Sequence, residues 1–267
     1  MRLFVYGMQT SGASLTTYLL GQVSDSLVLV DLYSYEVMPA IEAPEARYVI
    51  GKAVITTTHS LDDHLRSFRP DRTILLLRDP LQNYVALRRK QYANEDGALE
   101  DKFRLLNELF LQRDRFDLVL RYEDVVGDPQ GVVTALRGIG FPASLEHYAL
   151  PRSREEITSY NLHHSAWCRE RFGRGWSFGN IHGDRMQQSL VHKHVPRAVQ
   201  EAVSELCPDV VAYYAAAEGA GRSLARATGL LRDLLVRPVS SRARALWGAS
   251  RRLLGSAIRS VRASVRG

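Results

Sequence analysis

Short apolar runs alternate with helix-length segments through the first half of the chain, and this alternation restricts the fold more than any other feature. The apolar runs are Arg2 to Tyr6, Ser26 to Val30, Arg47 to Ile50, Thr73 to Leu77 and Asp117 to Leu120. A continuous apolar run such as Thr73 to Leu77 is typical of a strand buried on both faces of a parallel sheet. The segments between the runs, such as Leu81 to Tyr92 and Lys102 to Arg113, have the spacing of amphipathic helices. The sequence therefore predicts a three-layer α/β fold with a central parallel sheet.

The excess of positive over negative charge lies in the last 49 residues. The formal net charge of the whole chain is +6. Residues 219–267 hold eleven arginines, no lysine and one acidic residue, whereas residues 1–218 hold 24 basic and 28 acidic residues. In residues 219–267 apolar residues and arginines segregate to opposite sides of a helical stretch after Pro238, and less cleanly in the stretch before it. We therefore predict an α/β domain over residues 1–218 and a C-terminal basic amphipathic helical tail over residues 219–267.

This charge distribution makes nucleic acid an unexpected partner, because the α/β domain is itself mildly acidic. Arginine-rich amphipathic helices suit anionic membrane surfaces, so the tail predicts peripheral attachment to a membrane. The alternative is that the tail packs on its own domain or on a second subunit. No apolar run approaches the roughly 18 residues of a membrane span. With no signal peptide pattern and only two cysteines, Cys168 and Cys207, we expect a cytoplasmic protein.

The first predicted strand runs into a glycine-bounded loop with the sequence Gly7-Met8-Gln9-Thr10-Ser11-Gly12-Ala13-Ser14, followed by helical spacing from Leu15 to Gly21. Such a turn brings backbone N–H groups and the positive end of a helix to one point, which suits a phosphate group. The spacing GxxxxGxS is that of a Walker loop and predicts a P-loop-like fold. Because Ala13 stands where a lysine reaches the β- and γ-phosphates, the loop disfavours an ordinary nucleoside triphosphatase. A β–α turn without a ligand is the alternative.

Two later strands also end in polar or aromatic side chains. Arg78 follows the strand Arg72 to Leu77, at the edge where α/β proteins bind ligands, and its planar guanidinium suits a second phosphate. A helix cap or a pair with Asp79 is the alternative for Arg78. The strand near Leu120 ends in Tyr122, whose ring is a candidate to lie against a purine base.

In this order and spacing, the three segments resemble those of the sulfotransferases that use 3′-phosphoadenosine 5′-phosphosulfate. Residues 10–14, Thr-Ser-Gly-Ala-Ser, resemble the family's 5′-phosphosulfate loop, in which a basic residue precedes Ser-Gly-Thr-Thr or Ser-Gly-Thr-Ser. Arg78-Asp79-Pro80 resembles the 3′-phosphate segment, in which a serine follows the arginine by eight residues. Residues 121–125, Arg-Tyr-Glu-Asp-Val, resemble the Tyr-Glu-Asp-Leu signature, and Arg171 to Trp176 loosely matches the family's carboxyl-terminal segment. The resemblance covers about residues 1–217.

The resemblance implies a transferase that moves a sulfuryl group from that co-substrate to a hydroxyl of a small molecule, glycan or lipid, without a metal ion. The implied cofactor-binding residues are Gln9, Thr10, Ser11, Gly12, Ala13, Ser14, Arg78, Ala86, Tyr122 and Arg171. The implied catalytic residues are Thr10 and His59, since the cytosolic branch of the family carries its catalytic histidine at the place of His59. An imidazole can accept a proton near neutral pH. As an alternative, His59 caps the helix from Leu61 to Phe68.

Two departures from the family pattern keep other functions open. Thr10 replaces the loop's basic residue, and loss of such a cationic donor lowers a rate by about a hundredfold or more. Ala86 replaces the serine that shares the 3′-phosphate with Arg78. Lys52, Arg88 and Arg89 are the candidates to supply the missing charge. The alternatives are a catalytically degenerate, sulfotransferase-like binding protein and a P-loop kinase-like enzyme.

Overall fold

The computed structural model describes residues 1–29, 37, 46–152 and 194–217. The chain divides into two units, Met1–Tyr214 and Ala215–Gly267, and nearly all the described residues belong to the first. Arg171 and the predicted tail, residues 219–267, lie outside the described residues. The predicted domain boundary and the predicted roles of these segments stay predictions.

Five parallel strands form one sheet in the order β2-β3-β1-β4-β5. Their bounds are Arg2–Gly7 for β1, Ser26–Leu29 for β2, Tyr48–Val54 for β3, Arg72–Leu77 for β4 and Leu118–Arg121 for β5. From β1 the chain passes to the edge strand β2, returns to β3 beside β1, and then crosses to β4 on the other side of β1. The reversal makes the carboxyl ends of β1 and β4 the topological switch point, where open α/β sheets bind ligands. The predicted parallel sheet and α/β class are confirmed.

Helices cover both faces of the sheet and complete the three layers. They are α1 Ala13–Leu20, α2 Leu61–Phe68, α3 Pro80–Arg88, α4 Leu99–Leu111, α5 Tyr122–Gly127, α6 Pro129–Gly138, α7 Arg197–Leu206 and α8, helical over residues 208–217. Alternate side chains of β1 enter opposite cores: Phe4 and Tyr6 lie in the one that receives α2, α4 and α7, and Leu3 and Val5 in the one that receives α1 and α6. Within the described residues, no helix is long and apolar enough to cross a bilayer.

Several predicted boundaries are wrong. Strand β3 continues beyond Ile50 to Val54, and its lysine, Lys52, is buried. The helix predicted from Leu81 to Tyr92 ends at Arg88. The sequence also predicts a helix from Pro196 to Glu218. It is interrupted at Cys207, because the next residue, Pro208, has no N–H to donate and disfavours helical geometry in the residue before it.

One histidine, His64, lies in the core between α2 and the sheet. Its side chain is buried, and its ring packs 5.6 Å from the Phe4 ring and 5.9 Å from the Tyr6 ring. Neither ring nitrogen of His64 has a hydrogen-bond partner among the described residues, nor has the Tyr6 hydroxyl. Burial, and to a smaller extent the neighbouring His59, lower the pKa of His64 to about 4 against the opposing effect of Asp63. Neutral imidazole is therefore the form of His64 that the fold accommodates near pH 7.

We predict that His64 makes the protein sensitive to acid. In the unfolded chain His64 binds a proton below its ordinary pKa of 6.5, but in the fold only below about 4, so the free energy of unfolding falls as the pH drops between these values. In His64→Leu the loss between pH 7 and pH 4, measured by urea unfolding, should shrink by about 3 kcal/mol. Exposed His194 provides the control, since His194→Leu should keep the full dependence. An unchanged dependence in His64→Leu would show that other groups cause it.

Candidate functional site

The loop between β1 and α1 turns through two residues of left-handed backbone. Thr10 has φ of 62° and Gly12 has φ of 89°, and the Ser11 N–H donates to the Met8 carbonyl at 3.1 Å. Such a φ is easy for glycine but costs a residue with a side chain about 1 kcal/mol. Ser11 is buried, and its hydroxyl has no partner among the described residues. The loop thus carries backbone strain and an unpartnered polar group at one place.

The amino terminus of α1 opens directly onto this loop. The first hydrogen bond that enters the helix runs from the Thr16 N–H to the Gly12 carbonyl at 2.9 Å. The N–H groups of Ala13, Ser14 and Leu15 consequently have no partner within the helix. They lie at its positive end, where an anion is stabilised.

The unusual conformation of Thr10 is held by two residues that follow β4. The Arg78 Nη1 donates to the Thr10 carbonyl at 2.7 Å, and the Thr10 hydroxyl donates to the Asn83 Oδ1 at 3.0 Å. Asn83 is buried on α3. The Thr10 hydroxyl is therefore engaged within the protein, and the guanidinium of Arg78 is brought against the loop.

Tyr122 brings the third sequence segment to the same point. The Arg78 Cζ lies 5.0 Å from the centroid of the Tyr122 ring, a cation–π contact. The ring also lies against Gly12, where an added Cβ would come within 2.2 Å of the Tyr122 Cδ2. Asp79 does not pair with Arg78 in the way the alternative interpretation required, because its carboxylate caps α3 through the Leu81 N–H at 2.9 Å. The three segments thus meet at the switch point.

The acids that follow Tyr122 hold the site together. The Glu123 Oε1 accepts from the Asp79 N–H at 3.0 Å, and its Oε2 accepts from the Tyr214 hydroxyl at 3.0 Å. Burial and the Glu123 carboxylate raise the pKa of Tyr214, which keeps the hydroxyl protonated as a donor. Asp124 binds the Arg121 guanidinium through both carboxylate oxygens, at 2.7 and 2.5 Å. These carboxylates therefore connect elements of the fold to one another.

His59 leaves the same edge of the sheet from the neighbouring strand, β3. The Ile55 N–H donates to the Gly7 carbonyl at 3.0 Å, so the segment that leads to His59 starts beside the loop. The half-buried His59 ring meets the His64 ring edge-on at 5.9 Å. Ser60 is the residue that caps α2, in a capping box with Asp63, so His59 does not serve as the cap.

A residue that sequence reasoning missed, Lys102, contacts the loop from α4. Its side chain is fully buried, and its Nζ donates to the Gln9 Oε1 at 3.0 Å, to the Ala93 carbonyl at 3.0 Å and to the Glu95 carbonyl. Burial lowers the pKa of Lys102, while Asp96 and Glu95 raise it. The sequence contains one signal of this burial, since Lys102 lies three residues after Leu99 on the apolar face of α4.

The remaining predicted residues are placed less centrally. Ala86 is half-buried on α3, and Arg88 and Arg89 are exposed at the end of that helix. Because α3 begins at the switch point and is about 13 Å long, these two arginines lie at the end of the helix that is far from the loop. Arg171 is outside the described residues. Among the described side chains, no three metal-ligating groups come together.

No protein-family model matches the chain, and no curated protein is similar to it in sequence. Solved structures are similar to it at low identity. A sulfotransferase domain of the Synechococcus PCC 7002 olefin synthase is 16% identical, covers 78% of this chain and 94% of its own, and has a TM-score of 0.45. Retinol dehydratase with androsterone and the inactive cofactor PAP is 16% identical over 79% of this chain and 80% of its own, with a TM-score of 0.39. Retinol dehydratase with retinol and PAP is 15% identical over 79% and 81%, with a TM-score of 0.38.

We predict that the loop tolerates no side chain at Gly12. In Gly12→Ala the positive φ and the contact with the Tyr122 ring should lower the free energy of unfolding by about 1 to 3 kcal/mol, measured by urea denaturation. Gly127 at the end of α5 is the matched control, because an added Cβ there meets nothing within 4 Å. Gly127→Ala should leave the stability unchanged or slightly raised. Equal stability of the two variants would contradict the tight fit of Tyr122 against Gly12.

Proposed function

We propose that this chain is a sulfotransferase that moves a sulfuryl group from 3′-phosphoadenosine 5′-phosphosulfate to a hydroxyl of a carbohydrate, glycolipid or secondary metabolite. The observation that carries the proposal is the convergence of the loop of residues 8–12, Arg78 and Tyr122 at the switch point. This arrangement offers two places for phosphate groups, with the Tyr122 ring packed against both Gly12 and Arg78. A nucleotide that carries phosphates at both its 5′ and 3′ positions matches it in charge.

The two phosphate places differ in their donors. The amino terminus of α1 offers the backbone N–H groups of Ala13 to Leu15, which suit the 5′-phosphate. Arg78 is the candidate for the 3′-phosphate. Among the described residues only its Nη1 donates a hydrogen bond, to the Thr10 carbonyl, and a guanidinium has five N–H donors, so others remain for a phosphate oxygen.

The proposed reaction is a direct transfer. The acceptor oxygen forms a bond to sulfur, the bond between sulfur and the 5′-phosphate oxygen breaks, and that oxygen takes the bonding electrons. His59 removes the proton of the acceptor hydroxyl, and the donors of the loop stabilise the charge that develops on the leaving phosphate. In this account Thr10 contributes through its strained backbone, since its hydroxyl donates to Asn83.

A second candidate is a protein of the same architecture that binds the nucleotide without transferring the sulfuryl group. The hydrogen bond from the Thr10 hydroxyl to Asn83 favours it, because the residue that stands in place of the loop's basic residue uses its hydroxyl within the protein. Ala86 likewise offers a methyl group where a phosphate donor was expected.

For its location, we propose the cytoplasm, with the arginine-rich residues 219–267 holding the protein against an anionic membrane surface. The charge of that segment supports the proposal. A sulfuryl acceptor in or near the membrane would then be within reach of the site.

Calorimetry and a transfer assay test the proposal together. The protein should bind 3′-phosphoadenosine 5′-phosphate and transfer radiolabelled sulfuryl groups to at least one acceptor in a panel of sugar, glycolipid and phenolic hydroxyls. His59→Ala should keep the nucleotide affinity and reduce the rate by about a hundredfold or more. His194→Ala, at an exposed histidine, should change neither.

Each of the other outcomes has its own meaning. Nucleotide binding without transfer to any acceptor would favour the second candidate. A folded protein that fails to bind the nucleotide would overturn both candidates. Thermal stabilisation by ATP with magnesium, and none by the sulfonucleotide, would replace them with a kinase-like enzyme.

A further inference from the structure

Lys102 is a buried cation that forms no ion pair among the described residues, and the carboxylates of Asp96 and Glu95 act on it only from a distance. Its side chain has no exposed surface, and its three hydrogen-bond acceptors, the side-chain oxygen of Gln9 and the carbonyls of Ala93 and Glu95, are all neutral. No ion pair of the described residues includes it. Lysines are almost never fully buried unless they are paired, because desolvation of the ammonium is expensive. The positive charge of Lys102 can therefore interact with an anion that binds nearby.

The contact with Lys102 fixes the orientation of the Gln9 amide. An ammonium group only donates hydrogen bonds, so the atom of Gln9 that faces it must be the carbonyl oxygen, 3.0 Å from Nζ. The amide nitrogen of Gln9, with two N–H donors, is therefore directed away from Lys102. It donates no hydrogen bond to any described residue.

The orientation of the Gln9 amide matters because of the place of Gln9 in the loop. Gln9 immediately precedes Thr10, the position at which the resemblance called for a basic residue, and a small part of its side chain remains exposed. A cation that binds the carbonyl oxygen of an amide draws electron density from its nitrogen and strengthens the N–H groups as donors. Lys102 and Gln9 together thus place partial positive charge at the loop, although none of the loop's own side chains is cationic.

We propose that the buried ammonium of Lys102, acting through Gln9, replaces the missing basic residue of the loop. The Gln9 amide donates a charge-assisted hydrogen bond to the phosphate bound at the loop, and Lys102 is the positioning residue that orients and polarises that amide. The identity of the ligand as a 3′,5′-phosphorylated nucleotide rests on the proposed function. The pairing of Lys102 with Gln9 concerns any phosphate at this loop.

Gln9→Glu tests the proposal without removing the partner of Lys102. The carboxylate keeps an oxygen for the ammonium, so the protein should fold with an equal or higher melting temperature. The substitution removes both N–H donors and introduces a negative charge, so the dissociation constant of 3′-phosphoadenosine 5′-phosphate, measured by calorimetry, should rise at least about tenfold. The control is Arg104→Met, which removes an exposed cation of the same helix, paired with Asp101, and should leave the affinity unchanged.

A double-mutant cycle separates positioning from general support of the fold. Lys102→Met should weaken nucleotide binding severalfold in a chain that has Gln9. In a chain that already carries Gln9→Met, the further change Lys102→Met should have little additional effect on affinity, because the amide on which it acts is absent. An equal loss of affinity in both backgrounds would show that Lys102 supports only the fold, and would overturn the proposal.

Inorganic pyrophosphate, used as a second probe, distinguishes failure of this inference from failure of the proposed function. If Gln9→Glu folds and binds both probes as tightly as the unsubstituted chain, the pairing of Lys102 with Gln9 has no role in binding, whatever the function. If the unsubstituted chain binds pyrophosphate but not the nucleotide, and Gln9→Glu weakens the pyrophosphate complex, the inference stands and the proposed function fails. If the unsubstituted chain binds neither probe, both are overturned.

Discussion

Parallel pairing of β1 with both β3 and β4 places the whole candidate site. Gly7, the last residue of β1, pairs with Val54 of β3 and Leu76 of β4, so the three strands end nearly level. The loop that follows Gly7, the segment that leads to His59 and the turn that begins at Arg78 therefore start at one edge. With antiparallel neighbours the same three segments would be distributed between opposite edges of the sheet. The place of the candidate site is in this sense a consequence of the strand order.

Within that edge, positive charge comes from residues that approach the loop from neighbouring elements. Arg78 reaches it from the end of β4, and Lys102 reaches it from α4 beneath. Fixed groups of this kind need little reorganisation when a phosphate binds, which is the property that makes preorganised donors effective in catalysis. The +6 charge of the chain says little about this site, since the excess lies in residues 219–267.

The sequence was sufficient to predict the sheet, because continuous apolar runs specify buried parallel strands, and to predict the three segments that meet at its edge. The sequence did not predict that Lys102 is buried against the loop. A lysine within a helical pattern is ordinarily assigned to the solvent face, and only the folded arrangement of α4 against the loop shows where its ammonium lies. Lys52 gave the same difficulty, since the strand predicted to end at Ile50 continues to Val54 and buries this lysine. The roles of the site residues remain predictions, and Arg171 lies outside the described residues.

A crystal structure of the protein with 3′-phosphoadenosine 5′-phosphate tests the central claim most directly. The account predicts that the 5′-phosphate accepts hydrogen bonds from the backbone N–H groups at the start of α1 and from the Gln9 amide, while Arg78 binds the 3′-phosphate. Nucleotide density at any other place, or a 5′-phosphate that does not contact the loop, would contradict it.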